Sequence, residues 1–119
     1  MSLIVTTFSR DARTGEIALD PTGNSAHIAG PEAWRNEVWG SEAALRRGAT
    51  LLTRLKHEDL YVEHAQLSVL QAECKSLLDQ AALFAADVGI VESALVARLQ
   101  NIMRATVDAM ATHRGIHVG

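Results

Sequence analysis

The stretch Lys56-His57-Glu58-Asp59-Leu60-Tyr61-Val62-Glu63-His64 decides how the chain is read. On its N-terminal side Leu45, Leu52 and Leu55 form an apolar stripe at helical spacing, which projects to positions 59 and 62. On its C-terminal side the stripe runs Leu60, Leu67, Leu70, Cys74, Leu77, Leu78 and Ala81, out of phase with the first. No Gly or Pro lies between Gly48 and Gly89, so one helix of about forty residues is permitted, far beyond the usual length of about 11 to 12. The slip in phase at the four polar residues Lys56 to Asp59 argues instead for a turn or kink, with Asp59 capping a new helix.

Outward from that point, the second helix is expected to run to about Ala86, where Asp87-Val88-Gly89 supplies a stop. A third helix carries Val91, Leu95, Leu99, Ile102, Met103, Thr106 and Met110 at spacings of three and four, and pairs with the second as an antiparallel hairpin. Towards the N-terminus, Pro31-Glu32 reads as a first helical turn, because a missing N–H costs nothing there and an acid complements the dipole. Trp34 and Val38 share a face of this helix, and Ser41 is placed to cap a restart after Gly40. Trp34 and Trp39 do not share a face, so Trp39 is a candidate for contact outside its own chain.

The first thirty residues have a different texture. Leu3 to Phe8 is β-branched and aromatic, Arg10 to Gly15 has turn chemistry, and Glu16 to Asp20 alternates, which together read as a β-hairpin. Asp20-Pro21-Thr22-Gly23-Asn24-Ser25 is a turn or link. The expected fold is therefore mainly α: one domain, with a β-hairpin and link over 1–30, a three-helix up-down bundle over 31–112 and a flexible tail over 113–119. Its extended helices, about 35 to 40 Å long at 1.5 Å per residue, leave apolar sides that a single chain does not cover, so the bundle is completed by oligomerisation. Leu51, Val62, Val69, Ala82, Leu83 and Val96 lie beside or outside the main stripes and would be covered in this way.

The 119 residues are 48% hydrophobic and 21% charged, the balance of a folded domain. With a net charge of −3 the chain is a poor general polyanion binder, and nucleic acid is not an expected partner. The local cluster Arg46, Arg47, Arg54 and Lys56 reads as a solvated helix face. The N-terminus lacks a basic region followed by an apolar run, and no stretch reaches the roughly 18 apolar residues of a membrane span. The one cysteine, Cys74, rules out an intramolecular disulfide and points to a reducing, cytoplasmic compartment.

Chemistry-bearing patterns are sparse. His57 and His64 are the metal candidates, but on a helix they stand about 10 Å apart, whereas a chelating pair sits at i and i+4. His113 and His117 have that spacing, in a segment read as a frayed tail. Cys74 lies on the apolar stripe, where a thiol behaves as a small hydrophobe. Neither a phosphate-binding glycine loop nor a nucleophile elbow is present, so no cofactor and no catalytic residue is assigned.

The function expected is a noncatalytic assembly or adaptor protein acting as a homo-oligomer through protein contacts, with Trp39, Leu60, His64, Leu67, Leu70, Leu95, Leu99 and Met103 at the interface. The alternative is a small-molecule or metal-binding helical bundle, possibly enzymatic, using His57, Tyr61 and His64. A sequence-specific regulator would have to use the Arg46, Arg47 and Arg54 face.

Overall fold

The two N-terminal stretches pair as antiparallel strands, β1 (Ser2–Arg10) and β2 (Ile17–Leu19), with Phe8 opposite Leu19 and Arg10 opposite Ile17. Their turn is built by Asp11, whose carboxylate accepts the N–H groups of Arg13 and Thr14 at 2.7 and 3.0 Å, while Gly15 takes φ 75°. A computed structural model describes residues 2–21 and 27–119, so most of the link read at Asp20 to Ser25 lies outside the described residues.

The remaining strands are β3 (Ile28–Pro31), β4 (Leu60–Val62) and β5 (Gly115–Val118), all antiparallel to their neighbours, and the order is β2-β1-β5-β4 with β3 also on β1. Phe8 faces Leu19 on one side and Gly115 on the other, and Ile4 pairs with Ile28 while exchanging backbone bonds with Gly119. β2 and β3 therefore share one edge of β1, and β5 occupies the other.

The helices are α1 (Glu42–Arg46), α2 (Gln66–Asp79), α3 (Ala81–Val88) and α4 (Glu92–Thr112). A π-helical turn at Arg35–Trp39 and a 3₁₀ turn at Leu52–Lys56 flank α1. Ser41 caps α1 by accepting the Ala44 N–H at 3.1 Å. The interruption at Gly40 is steric as well as conformational, because a Cβ there would strike the Arg35 carbonyl and the Lys56 side chain.

This mixed α/β architecture corrects the three-helix bundle. Three departures account for it. Leu60-Tyr61-Val62 is a strand whose ends are buried and whose centre is half exposed, a period of two rather than 3.6. The expected second helix breaks at Gln80 into α2 and α3. Finally, the tail expected over 113–119 contains β5, an inner strand held by β1 on one side and β4 on the other.

The alternation along the strands sorts two faces. Leu3, Val5, Leu60, Val62, Ile116 and Val118 point to one, are essentially inaccessible, and pack with Leu70, Leu77, Leu95, Leu99 and Ile102 of α2 and α4. Val38, Trp39, Leu52 and Leu55 extend that core. Trp39 donates its indole N–H to the Ala29 carbonyl at 2.9 Å and meets Trp34 edge to face, with ring centroids 5.8 Å apart. One buried carboxylate serves the backbone: Glu73 of α2 accepts the N–H groups of Leu51 and Leu52 and the Thr50 hydroxyl, capping the 3₁₀ turn. Among the described residues no helix is long and apolar enough to cross a membrane.

Candidate functional site

Two chain connections meet at the end of the sheet and enclose a cleft of about 670 Å³. One joins β4 to α2 and contains Glu63 and His64; the other joins α4 to β5 and contains His113 and Arg114. The second follows from how α4 ends. His113 takes the left-handed conformation (φ 55°, ψ 42°) just past the last turn, and the Arg114 N–H returns to the Ala109 carbonyl at 2.9 Å. The first connection carries a matching feature, His64 at φ 55°.

Phe8, Leu67, Ala109 and Met110 give the cleft its apolar lining. Phe8, Leu67 and Ala109 are buried, whereas the Met110 side chain remains exposed. Phe8 lies over Gly115, where a Cβ would enter its ring, so glycine at this strand position makes room for the aromatic. Arg10 stacks 6.0 Å from the Phe8 ring, bonds Glu63 through Nη2 at 2.9 Å and Nε at 3.3 Å, and gives Nη1 to the Gly15 carbonyl. Arg114 gives Nη1 to Asp20. The Thr7 hydroxyl, and after it Arg114, holds the Asp20 carboxyl below the usual carboxylate range.

On the other side of the Asp20–Arg114 pair lies a smaller recess of about 250 Å³, lined by Asp20, His27, Asn101, Arg104 and Asp108. Asn101 donates to the Ile28 carbonyl at 2.8 Å and accepts from Arg104 at 3.2 Å. His27 Nδ1 is buried there without a hydrogen-bond partner among the described residues.

A third cluster fastens the free end of the sheet. Arg35 bonds Asp59 at 2.5 Å, the carbonyls of Leu55 and Glu58, and Glu32. His117 Nε2 lies 3.1 Å from the other Asp59 oxygen, and its ring stacks on Tyr61 at 4.7 Å. Arg35 first, and then His117, holds the Asp59 carboxyl below its ordinary range.

The structure distributes the residues singled out by sequence as follows. His57 ends the 3₁₀ turn, exposed, and β4 separates it from His64, so the two do not lie on one helix. Among the described residues no group of three or more His, Cys, Asp or Glu is placed to hold a metal. Trp39, Leu60, Leu67, Leu70, Leu95 and Leu99 are buried in the chain's own core, Met103 packs against it, and His64 is exposed. Leu51 and Val62 are covered in the same way, whereas Val69 and Leu83 stay exposed. Cys74 is buried, which pushes its thiol up to about 12, with the neighbouring Glu73 adding to the rise. Arg47 is engaged by the Ala43 carbonyl and by Asp87 and stacks on Phe84, tying α1 to α3.

Sequence reasoning placed His64 on a helical stripe and missed the cleft, because its walls come from positions 8, 63–67 and 109–115. The signal within reach was the pairing of a turn-prone histidine with a following Arg-Gly at 113–115, which marks a helix end. No protein-family model matches the chain, and no curated protein and no solved structure matches it either.

Proposed function

We propose that the protein is a noncatalytic interaction module of the cytoplasm that self-associates through the face of the sheet turned away from α2 and α4. The observation that carries this reading is the exposure of large apolar side chains on that face: Leu19 is 53%, Tyr61 48% and Ile17 36% accessible. They flank Phe8 and sit beside Arg10, and aromatic and arginine side chains are the groups favoured at protein contacts. The face also carries both signs of charge, in the pairs Arg10–Glu63 and His117–Asp59. A two-fold arrangement can therefore place each sign opposite its complement. With the stripes of α2 and α4 spent on the protomer core, the sheet face replaces the helix faces as the surface for assembly.

Sedimentation over a hundredfold concentration range tests this. The expected result is a dimer or larger closed assembly that Leu19→Asp and Tyr61→Asp convert to monomer without loss of circular dichroism. A monomer throughout the range, or an assembly indifferent to both substitutions, would sink the proposal.

The cleft beside His64 and His113 favours a second reading, a binding protein for a small molecule. It combines an apolar floor with a few polar groups at the rim, the usual composition of a ligand pocket.

A further inference from the structure

Three strands, β2, β3 and β4, have an outer edge, and the edges are not equally defended. On β3 the carbonyls of Ile28 and Ala29 accept from Asn101 and Trp39, Pro31 has no N–H to offer, and the register slips beside Ile4. On β4 the strand is flanked by the charges of Asp59 and Glu63, while Arg35 takes the Glu58 carbonyl and the Gln66 N–H takes that of Glu63. β2 has no such protection. It ends the order β2-β1-β5-β4, its three residues are all exposed, and it contains no charge, proline or bulge.

Hydrogen-bond parity fixes which groups β2 offers. Alternate residues of an antiparallel strand send both N–H and C=O to the same neighbour. Ile4 exchanges both with Gly119, so Ile4, Thr6 and Phe8 face β5, while Thr7, Ser9 and Asp11 face β2. In keeping with this, the Thr7 carbonyl accepts the Asp20 N–H at 2.9 Å and Asp11 donates its N–H to the Glu16 carbonyl at 2.8 Å. Glu16, Ala18 and Asp20 are therefore turned to β1, and Ile17 and Leu19 turn their N–H and C=O outward. Those four groups have no partner among the described residues. The two side chains, 36% and 53% accessible, project from the open face beside Arg10 and Phe8.

We propose that β2 pairs with β2 of a second copy, antiparallel about a two-fold axis at Ala18, so that two sheets become one. The strand is its own complement in this register. Ile17 of each copy exchanges both backbone bonds with Leu19 of the other, which satisfies the four outward groups of each chain and sets the two exposed apolar side chains against each other twice. The other two-fold registers lose bonds. A centre at Leu19 brings Ile17 opposite Pro21, which has no N–H, and a centre at Ile17 brings Leu19 opposite Gly15, whose N–H already goes to the Asp11 carbonyl. Glu16 comes opposite Asp20 of the second copy, whose charge is met by Arg114. The occupant is a second copy because the same residues that offer the bonds also supply the matching apolar pair. The proposal rests on the reading that the chain self-associates, and places the contact at the β2 border of the sheet.

Sedimentation, amide hydrogen exchange and a cross-link test this on the full chain. The expected result is a dimer in which the Ile17 and Leu19 amides exchange slowly, and a dilute monomer in which they exchange fast. Ala18→Cys sets two cysteines at a non-bonded pair, where Cα atoms stand about 4.5 Å apart, within the span a disulfide bridges. Mild oxidation should then link the dimer, and Cys74, being buried, does not compete. Ile17→Pro removes an N–H that bonds nothing within the protomer and should weaken the dimer by at least about tenfold with circular dichroism unchanged. Tyr61→Asp, three strands away, should leave both the protection and the cross-link in place. A dimer with fast exchange at Ile17 and Leu19 and no Ala18→Cys link would overturn the edge pairing and leave association through the open face standing, whereas a monomer throughout would overturn both. Protection of the two amides without the cross-link would mean that another strand occupies the edge, and would overturn the second copy as its partner.

Discussion

The two faces of the sheet are made by the same strands and differ in almost everything else. Leu3, Val5, Leu60, Val62, Ile116 and Val118 are sealed under the helices, with close to no accessible surface. One residue along, Tyr61 and His117 stack on each other, Arg10 lies over Phe8, and Asp59 ties His117 to Arg35. The covered face is held by the packing of apolar side chains, which do not titrate. The open face is held by contacts between polar and aromatic groups that water can reach, and these leave side chains free for other molecules.

The sharpest way to break this comparison is to truncate both faces of neighbouring strands. Leu60→Ala and Ile116→Ala each remove a buried side chain from the covered face and are expected to cost about 2–5 kcal/mol. Tyr61→Ala, between Leu60 and Val62 but on the open face, gives up an edge contact with Phe8 and the ring contact with His117 and is expected to cost about 1 kcal/mol. Urea unfolding, at a protein concentration where the chain is monomeric, reads the difference as a shift in midpoint at constant slope. Similar losses on both faces would show that the open face is covered in solution.

The same contrast explains what could be read from the sequence. The β1–β2 hairpin was legible because its alternation and its Asp11–Gly15 turn are local signals. Helix α4 was equally plain, since its stripe of Leu95, Leu99, Ile102 and Thr106 needs no partner to be recognised. β4 and β5 were not legible. Each has three or four residues, and each becomes a strand through hydrogen bonds to residues far away in the sequence. Leu60 fitted the helical stripe that continues to Leu67 and Val62 fell beside it, because two apolar residues are too few to establish a period of 2 against one of 3.6. The break at Gln80 has no Gly or Pro to announce it. Nothing in the sequence marks Glu73, which is a buried cap for the turn at Leu52–Lys56. The candidate site shared the fate of β5: once positions 113–119 were read as a tail, His113 and Arg114 had no wall to belong to.

A second, smaller effect separates the faces by pH. The Asp59 carboxyl has its folded-state pKa lowered by Arg35 and then by His117. Such a group contributes stability above the unfolded carboxylate value of about 3.9, and that contribution is lost as pH falls through the lower folded value. The Asp59 side chain is 41% exposed, so solvent screening keeps the effect modest. Asp59→Asn should lower stability at neutral pH and flatten its fall between about pH 5 and pH 2, whereas Ile116→Ala should lower the whole curve in parallel. Chemical unfolding at a series of pH values distinguishes the two, and an unchanged acid limb in Asp59→Asn would remove Asp59 from the account.

The smallest expected effect concerns the connection that joins the two faces at the cleft. His113 ends α4 in a left-handed conformation that glycine adopts without the Cβ clash. His113→Gly relieves that clash but gives the unfolded chain more freedom, so the net gain is expected to be up to about 1 kcal/mol. His113→Ala keeps the clash and loses the imidazole, and should leave the protein no more stable than the parent. The pair separates backbone ease from side-chain contacts, which either variant alone would confuse. If glycine raises the unfolding midpoint while alanine leaves it at or below that of the parent, the left-handed backbone at His113 is a cost the fold carries. If glycine lowers the midpoint as far as alanine does, the imidazole is itself a structural contact, and His113 belongs with the groups that hold the protein together.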